Sequence, residues 1–72
     1  MATAPKIYIV SGRVPSGDSR AVKTAVRAAT RELQETLRAN GIEASFADIA
    51  LLGHSESWDH EGQRWVHVRW DG

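Results

Sequence analysis

One long amphipathic pattern, from Arg20 to about Asn40, constrains the fold of this chain more than any other feature. Its apolar residues recur at spacings of three and four, which places their side chains on one face of an α-helix. They are Val22, Ala25, Val26, Ala29, Leu33 and Leu37. Asp18 or Ser19 can cap the start, and Gly41 after Asn40 supplies the left-handed residue that ends many helices. The pattern predicts a helix about 30 Å long, at 1.5 Å per residue, with an apolar stripe that must be covered.

Two segments that flank this helix have the composition of β-strands. Lys6 to Ser11 is rich in β-branched and aromatic residues and is almost entirely apolar, so we expect an inner strand that is covered on both faces. After the helix, Ile42 to Phe46 alternates between apolar and polar residues, which predicts a half-buried second strand. Ile49 and Leu51 then fall on the opposite parity, so a bulge near Asp48 is expected to restore the register.

A third strand is predicted from Gln63 to Trp70, where one face carries Val66 and Val68. The polar, turn-rich segments 12–19 and 53–62 are expected to be loops. The order β-α-β-β predicts an α+β fold in which one long amphipathic helix packs on a three-stranded antiparallel sheet. The other sheet face stays open, with Trp65 and Tyr8 expected on it. Such a surface should meet a second subunit or a ligand.

The length and composition predict one cysteine-free domain over residues 1–72, with residues 1–5 as a loose N-terminus. A domain this small gains little net stability from its own core, and 42% of its residues are hydrophobic. We therefore expect a homo-oligomer. No apolar run is long enough to cross a bilayer and no export signal is recognisable, so we expect a cytoplasmic protein without membrane contact.

The polar face of the third strand carries a candidate ligand site. Its members are Gln63, Trp65, His67 and Arg69. An indole offers a flat stacking surface, a Gln amide both donates and accepts hydrogen bonds, and Arg pairs with anions. Together these side chains can hold a planar polar ring. The alternative is a strand face that packs against another subunit of an oligomer.

The polar side of the helix carries a basic stripe. At 100° per residue its members fall within an arc of about 80°. They are Arg20, Lys23, Arg27, Arg31 and Arg38. Such a stripe can follow a phosphate backbone with strong salt dependence, or it can be a solvated face that is offset by Glu35 or by acids of neighbouring subunits. The formal net charge of +0 argues against strong overall attraction to nucleic acid.

Histidines and acids are concentrated in and near the segment from Gly53 to Gly62. His54, His60 and His67, together with Glu56, Asp59 and Glu61, are the residues that can ligate a metal or act as catalytic acids and bases. Their spacing matches neither a His pair on a helix nor a cysteine cluster, and no nucleophile motif accompanies them. We therefore expect a solvated loop, with no metal site and no enzyme activity.

Three segments of the chain resemble the dodecins, small flavin-storage proteins of β-α-β-β order that assemble as hollow dodecamers. KIYIVSG (6–12) and AVKTAVRAATREL (21–33) are similar to the first strand and the helix of that family, with Gly12 ending the strand. QRWVHVRW (63–70) is similar to the last strand, with Gln63 where dodecins place a Gln that hydrogen-bonds the isoalloxazine edge. The chain departs from the family in its helical pattern, from Arg20 to about Asn40, which is about one turn longer. It also lacks the stacking Trp at the start of the second strand.

The resemblance implies a non-enzymatic homo-oligomer that binds or stores a planar cofactor such as FMN, riboflavin or FAD. Trp65 would take over the stacking role and Gln63 would contact the edge of the ring, with His67 and Arg69 beside them. The basic stripe leaves an alternative open, a small interaction module that binds nucleic acid or an acidic protein partner through the helix.

Overall fold

The computed structural model describes residues 7–15 and 18–71. Its elements, in chain order, are β1 (Ile7–Arg13), α1 (Ser19–Ala39), α2 (Phe46–Leu51), β2 (Ser55–Trp58) and β3 (Arg64–Asp71). The strands form one antiparallel sheet in the order β1-β3-β2. The predicted α+β fold is confirmed, with its long helix and three strands in the order β-α-β-β. A second, short helix, α2, lies between α1 and β2 in the chain.

The long helix α1 has the boundaries that its amphipathic pattern predicts. Asp18 is the capping residue, and its Oδ1 accepts a hydrogen bond from the backbone N–H of Ala21 at 2.7 Å. Asn40 caps the other end, followed by Gly41 with a φ of 78°, a left-handed conformation that glycine adopts without steric cost. Within the described part of the chain, no helix is both long and apolar enough to span a membrane.

The core lies between α1 and the sheet face formed by the even-numbered residues of β1 and β3. Its central side chains, Leu33 and Leu37, are fully buried, and Val10 and Val68 meet them from the sheet. Gly12 allows the helix to come close, since a Cβ at this position would lie 3.4 Å from the carbonyl oxygen of Ala25. Burying each large aliphatic side chain is worth about 1.5–3 kcal/mol, so this face of the sheet holds α1 in place.

The second strand lies at a different place from the one predicted. Residues 42–45 have no regular secondary structure, and Phe46 starts α2. Ile42 and Ala44 pack against the core without joining the sheet, which explains why the segment alternates. The predicted bulge near Asp48 is also wrong, because Asp48 lies in the first turn of α2. The second strand is instead β2, which lies within the segment that was predicted to be a loop.

Strand β1 is an edge strand, because β3 occupies the middle of the sheet. The prediction of an inner strand was therefore wrong. Ile7 and Ile9 are 54% and 61% exposed on the open face, whereas Tyr8 turns toward the core and not, as predicted, toward the open face. The strand also continues beyond the predicted Ser11. The predicted loose end at residues 1–5 lies outside the described residues.

Candidate functional site on the open sheet face

The sheet face opposite α1 is formed by the odd-numbered residues of the three strands. The antiparallel register places Ser11 and Ser55 opposite His67, one on each side of the central strand. By the same alternation, the full set on this face is Ile7, Ile9, Ser11, Arg13, Ser55, Ser57, Trp65, His67, Arg69 and Asp71. Both helices pack on the other side, where Ile49 of α2 joins the core below α1. Among the described elements, none covers this open face.

Trp65 lies near one end of the open face and is held there by Asp59. Its indole Nε1 donates a hydrogen bond to Asp59 Oδ2 at 3.1 Å, and Asp59 Oδ1 accepts from the backbone N–H groups of Glu61 and Gln63 at 2.9 Å. The bond from Trp65, and next the bond from the Gln63 amide, stabilise the carboxylate and lower the pKa of Asp59. The indole is partly buried, so part of its surface is available for stacking.

His67 occupies the centre of the face and contacts a serine on each neighbouring strand. Its Nδ1 lies 2.7 Å from Ser11 Oγ, and its Nε2 lies 2.7 Å from Ser57 Oγ. A neutral imidazole has one N–H and one lone pair, so one hydroxyl donates to the ring while the other accepts from it. The three side chains form a hydrogen-bonded row across all three strands, which fixes the orientation of the imidazole.

A groove of about 510 Å³ opens beside His67 and extends toward the start of β2. The side chains that line it are Ile9, Leu52, His54, Ser55, His67 and Arg69, together with Gly53. No carboxylate is among these lining residues, although Asp71 Oδ2 lies 3.3 Å from Arg69 Nη2. Ligand pockets usually have volumes of about 300–1,000 Å³, so the groove is large enough for a small molecule.

Gln63 lies just before β3, with its side-chain amide turned toward the backbone. Its Nε2 donates to the carbonyl oxygen of Val14 at 2.6 Å and to that of Arg64 at 3.2 Å. The backbone N–H of Val14 in turn donates to the Arg64 carbonyl at 3.0 Å. The amide nitrogen of Gln63 therefore joins the end of β1 to the start of β3, and it is not free to donate to a ligand.

Three of the four predicted site residues thus share one surface, since Trp65, His67 and Arg69 alternate along β3. Gln63 is separate from them in its contacts. Together the open face offers an indole, an oriented imidazole, a guanidinium and apolar surface. This arrangement can hold a planar ring that carries a negatively charged substituent.

Sequence reasoning missed Ile9, Ser11 and Ser57 as members of this surface. The alternation of β1 indicates that Ile9 and Ser11 share a face. Only the strand order β1-β3-β2, however, brings them beside Arg69 and His67. Ser57 was missed because the segment that contains it was predicted to be a loop.

The five residues of the basic stripe are all exposed on α1. Among the described residues, none of the five forms an ion pair. Lys23 and Arg27 border a groove of about 230 Å³ between α1 and α2, which is lined in part by Val22, Val26 and Phe46. The basic stripe and the open sheet face therefore lie on opposite sides of the sheet.

The histidines and acids of the segment 53–62 do not form a metal centre in the described residues, where no three His, Cys, Asp or Glu side chains converge. Two of the acids have other contacts. Glu56 pairs with Arg64 at 2.6 Å, and Asp59 accepts the bond from Trp65. Glu56 thus links β2 to β3, and Asp59 links the turn between these strands to β3.

Comparison of the chain with protein-family models, with curated proteins and with solved structures found no match. The resemblance to the dodecins stays a prediction.

Proposed function

We propose that this protein is a non-enzymatic homo-oligomer that binds a planar cofactor, such as a flavin, on its open sheet face. The observation that supports this most is the groove of about 510 Å³ that Ile9, His67 and Arg69 line. Its apolar side chains suit a flat ring, and its basic side chains suit an anionic substituent. An indole on the same face adds a surface on which an aromatic ring can stack.

The spacing along β3 suits a ring that carries a phosphate-ended chain. Trp65 and Arg69 are four residues apart, which corresponds to about 13 Å in a strand. In this proposal the ring of FMN stacks on Trp65 and its phosphate pairs with Arg69 in place of Asp71. Because Asp59 already holds the indole through Nε1, little side-chain freedom is lost when the ring binds.

His67 has a positioning role in this proposal. Serine hydroxyls already occupy both of its ring nitrogens, so the imidazole forms a fixed polar wall beside the ring. Gln63, which the dodecin resemblance assigned to the ring edge, supports the end of the sheet through the Val14 carbonyl. FMN, riboflavin and FAD share the ring and differ in the substituent that would reach Arg69.

Titration with FMN tests the proposal. Micromolar FMN should quench the tryptophan fluorescence of the wild-type protein. Trp65→Leu should weaken binding about tenfold or more in equilibrium dialysis, since stacking on an aromatic side chain is worth roughly 1–3 kcal/mol. Trp58→Leu is the matched control, because Trp58 is also an exposed tryptophan, at 61%, but lies on the other face of the sheet. It should bind FMN as the wild type does.

A second variant separates recognition of the ring from recognition of the phosphate. Arg69→Gln should weaken FMN binding but leave riboflavin binding unchanged, because riboflavin has no phosphate to pair with the guanidinium. Unchanged tryptophan fluorescence with FMN, riboflavin and FAD would contradict the proposal. Equal losses for Trp65→Leu and Trp58→Leu would contradict the assignment to the open face.

A second candidate function is supported by the exposure of all five basic residues on α1. We propose as the alternative that this helix binds nucleic acid or an acidic protein partner. Phosphate contacts release counterions, so the affinity should fall steeply between low and high salt. Arg27→Glu should weaken binding to heparin and reduce the salt dependence.

The control for this alternative is Arg69→Glu, which makes the same charge change on the open face. It should elute from heparin later than Arg27→Glu does. Equal elution of the wild type and Arg27→Glu would count against the basic stripe as a binding surface.

A further inference from the structure

The two free edges of the sheet differ in length. Because β3 is the middle strand, β1 and β2 each keep one unpaired side. β2 has four residues, whereas β1 has seven. An unpaired edge presents backbone N–H and C=O groups that can pair with another strand. The longer edge therefore offers the longer run of such groups.

Hydrogen bonds at the end of β1 identify which of its backbone groups point outward. The N–H of Val14 donates to the Arg64 carbonyl at 3.0 Å, in register with the ladder. Paired residues of an antiparallel ladder alternate, so the even-numbered residues of β1 bond to β3. The odd-numbered residues direct their N–H and C=O groups to the free side. These are Ile7, Ile9, Ser11 and Arg13.

The edge of β2 is protected in ways that natural sheets use against pairing. The N–H of Asp59 donates to the Gln63 carbonyl, so the same alternation turns the backbone groups of Glu56 and Trp58 outward. Glu56 carries a charge and is held by Arg64 in an ion pair. A short strand with a charged outward residue is a poor template for another strand.

The edge of β1 has none of these protections over its first six residues. Residues 7–12 contain no proline and no charged residue, and the pairing with β3 runs without a bulge. Ile7 and Ile9 are more than half exposed. Among the described residues, none forms a backbone hydrogen bond to the outward groups of β1. A long, apolar edge without a bulge is the type that pairs with another strand.

We propose that β1 pairs with β1 of a second copy of this chain, antiparallel about a twofold axis, to form a continuous six-stranded sheet. With the axis at Val10, all seven residues of β1 find a partner, and Ile9 lies opposite Ser11 of the partner subunit. Each outward N–H or C=O group of this strand then forms a hydrogen bond with an outward C=O or N–H group of the partner's β1. A single twofold contact uses one surface twice and so closes on itself.

This inference rests on the homo-oligomer proposed above and specifies its interface. The pairing joins the two open faces into one surface, with the isoleucines of both copies at the seam. Ile9 also lines the groove beside Arg69, so the two proposed cofactor sites lie on either side of the seam. The interface and the cofactor site are nevertheless separable, because pairing needs only backbone groups.

Amide hydrogen exchange on the ligand-free protein tests the pairing directly. In a monomer, the amides of Val10 and Gly12 are bonded to β3, whereas those of Ile9 and Ser11 are open to water. In the proposed assembly, Ile9 and Ser11 should exchange about a hundredfold more slowly than unprotected amides, as the amides of paired strands do. Rapid exchange at Ile9 and Ser11 in an oligomeric sample would overturn the β1 interface and leave the oligomer standing.

Two substitutions at one position separate backbone pairing from contact between sheet faces. Ile9→Pro removes an outward N–H and leaves the bonds of β1 to β3 in place, since proline is tolerated on edge strands in this orientation. Ile9→Ala removes most of the same side chain but keeps the N–H. In analytical ultracentrifugation, Ile9→Pro should be monomeric and Ile9→Ala should keep the wild-type assembly.

Sedimentation of the wild type and of the two Ile9 variants can also contradict pairing through β1. If the wild-type protein is monomeric at high concentration, or if both Ile9 variants dissociate alike, pairing through β1 is overturned. If both variants keep the wild-type assembly, it is overturned as well. Failure of flavin to bind leaves these ligand-free results unchanged and counts only against the cofactor proposal. If Ile9→Pro does not fold, the exchange measurement on the wild type still decides.

Discussion

Asp59 organises one end of the open face through a single carboxylate. One oxygen accepts the backbone N–H groups of Glu61 and Gln63, which is the bonding of an Asx turn, and the other accepts the indole of Trp65. The acid therefore shapes the turn before β3 and orients the indole on the open face. The polar, histidine-containing segment around Asp59 predicted a solvated residue. Its local sequence gave no sign of the hydrogen bond to Trp65, because Trp65 is six residues away in the next strand.

The protonation of Asp59 should affect stability at acid pH. Because the bonds from Trp65 and from the Gln63 amide lower its pKa in the folded protein, the unfolded chain binds a proton more readily than the folded one. The stabilisation is present above the ordinary pKa of an aspartate, about 3.9, and is lost as the pH falls through the lower, folded pKa. The free energy of unfolding should therefore decrease from about pH 4 downward.

Asp59→Asn should flatten this acid limb, which urea unfolding at a series of pH values measures. Trp65→Phe, which lacks the indole N–H, should flatten it in the same direction by removing the largest cause of the pKa shift. Trp65 emission should also change over this pH range in the wild type. Wild-type and Asp59→Asn curves of identical slope would show that the contacts of Asp59 do not contribute to the pH dependence of folding.

At the scale of the elements, the segment after α1 shows how a local cap overrides an alternating pattern. Ser45 accepts a hydrogen bond from the Asp48 N–H at 3.0 Å and caps α2. Ser-Phe-Ala-Asp matches the Ser-x-x-Asp pattern that begins helices. The same residues alternate between apolar and polar from Ile42 to Phe46, which is the pattern that predicted a strand here. α2 then buries Ile49 below the long helix.

The cap of α2 can be tested by two substitutions at one residue. Ser45→Ala should lower the free energy of unfolding by about 1 kcal/mol, within the range of 0.5–2 kcal/mol that is typical for losing such a cap. Ser45→Asp should keep most of the stability, since its carboxylate can accept the same bond. Chemical denaturation of the three proteins measures the difference. Equal stability of Ser45→Ala and the wild type would indicate that α2 needs no cap.

The sequence predicted the elements whose signal is local and periodic. The helical pattern around Leu33 and the strand alternation around Val66 both predicted correctly which side chains are buried, because these side chains pack in the core. The order of the strands was not accessible, since a nearly apolar β1 suits an inner strand as well as an exposed edge. Strand β2 was missed because Ser55–Trp58 is exposed throughout and has no hydrophobic alternation. The sequence therefore predicted the site residues that lie on β3, but not those that β1 and β2 contribute.

At the scale of the whole molecule, the fold leaves one side of the sheet and one long edge in water. The core is small and lies entirely on the helix side, around Leu33 and Leu37. Ile7 and Ile9 are exposed on the open face, and Leu52 lies beside them at the groove. Apolar surface of this kind usually marks a contact with a partner or a ligand. A 72-residue domain has a total stability of only roughly 4–11 kcal/mol, so covering such surface contributes substantially.

Folding and association should therefore be coupled, and the melting temperature should rise with protein concentration. Tenfold in concentration corresponds to about 1.4 kcal/mol. Two copies of this chain that unfold together have an entropy of unfolding of roughly 0.3 kcal/mol/K. A tenfold increase in concentration should therefore raise the melting temperature by about 5 °C. Trp65→Ser should melt at a lower temperature than the wild type, because it removes a large, partly buried side chain and its hydrogen bond to Asp59. Calorimetry and sedimentation across a hundredfold concentration range measure both effects. A monomer whose melting temperature is independent of concentration, with Trp65→Ser nearly as stable, would mean that the open face is stable in water by itself.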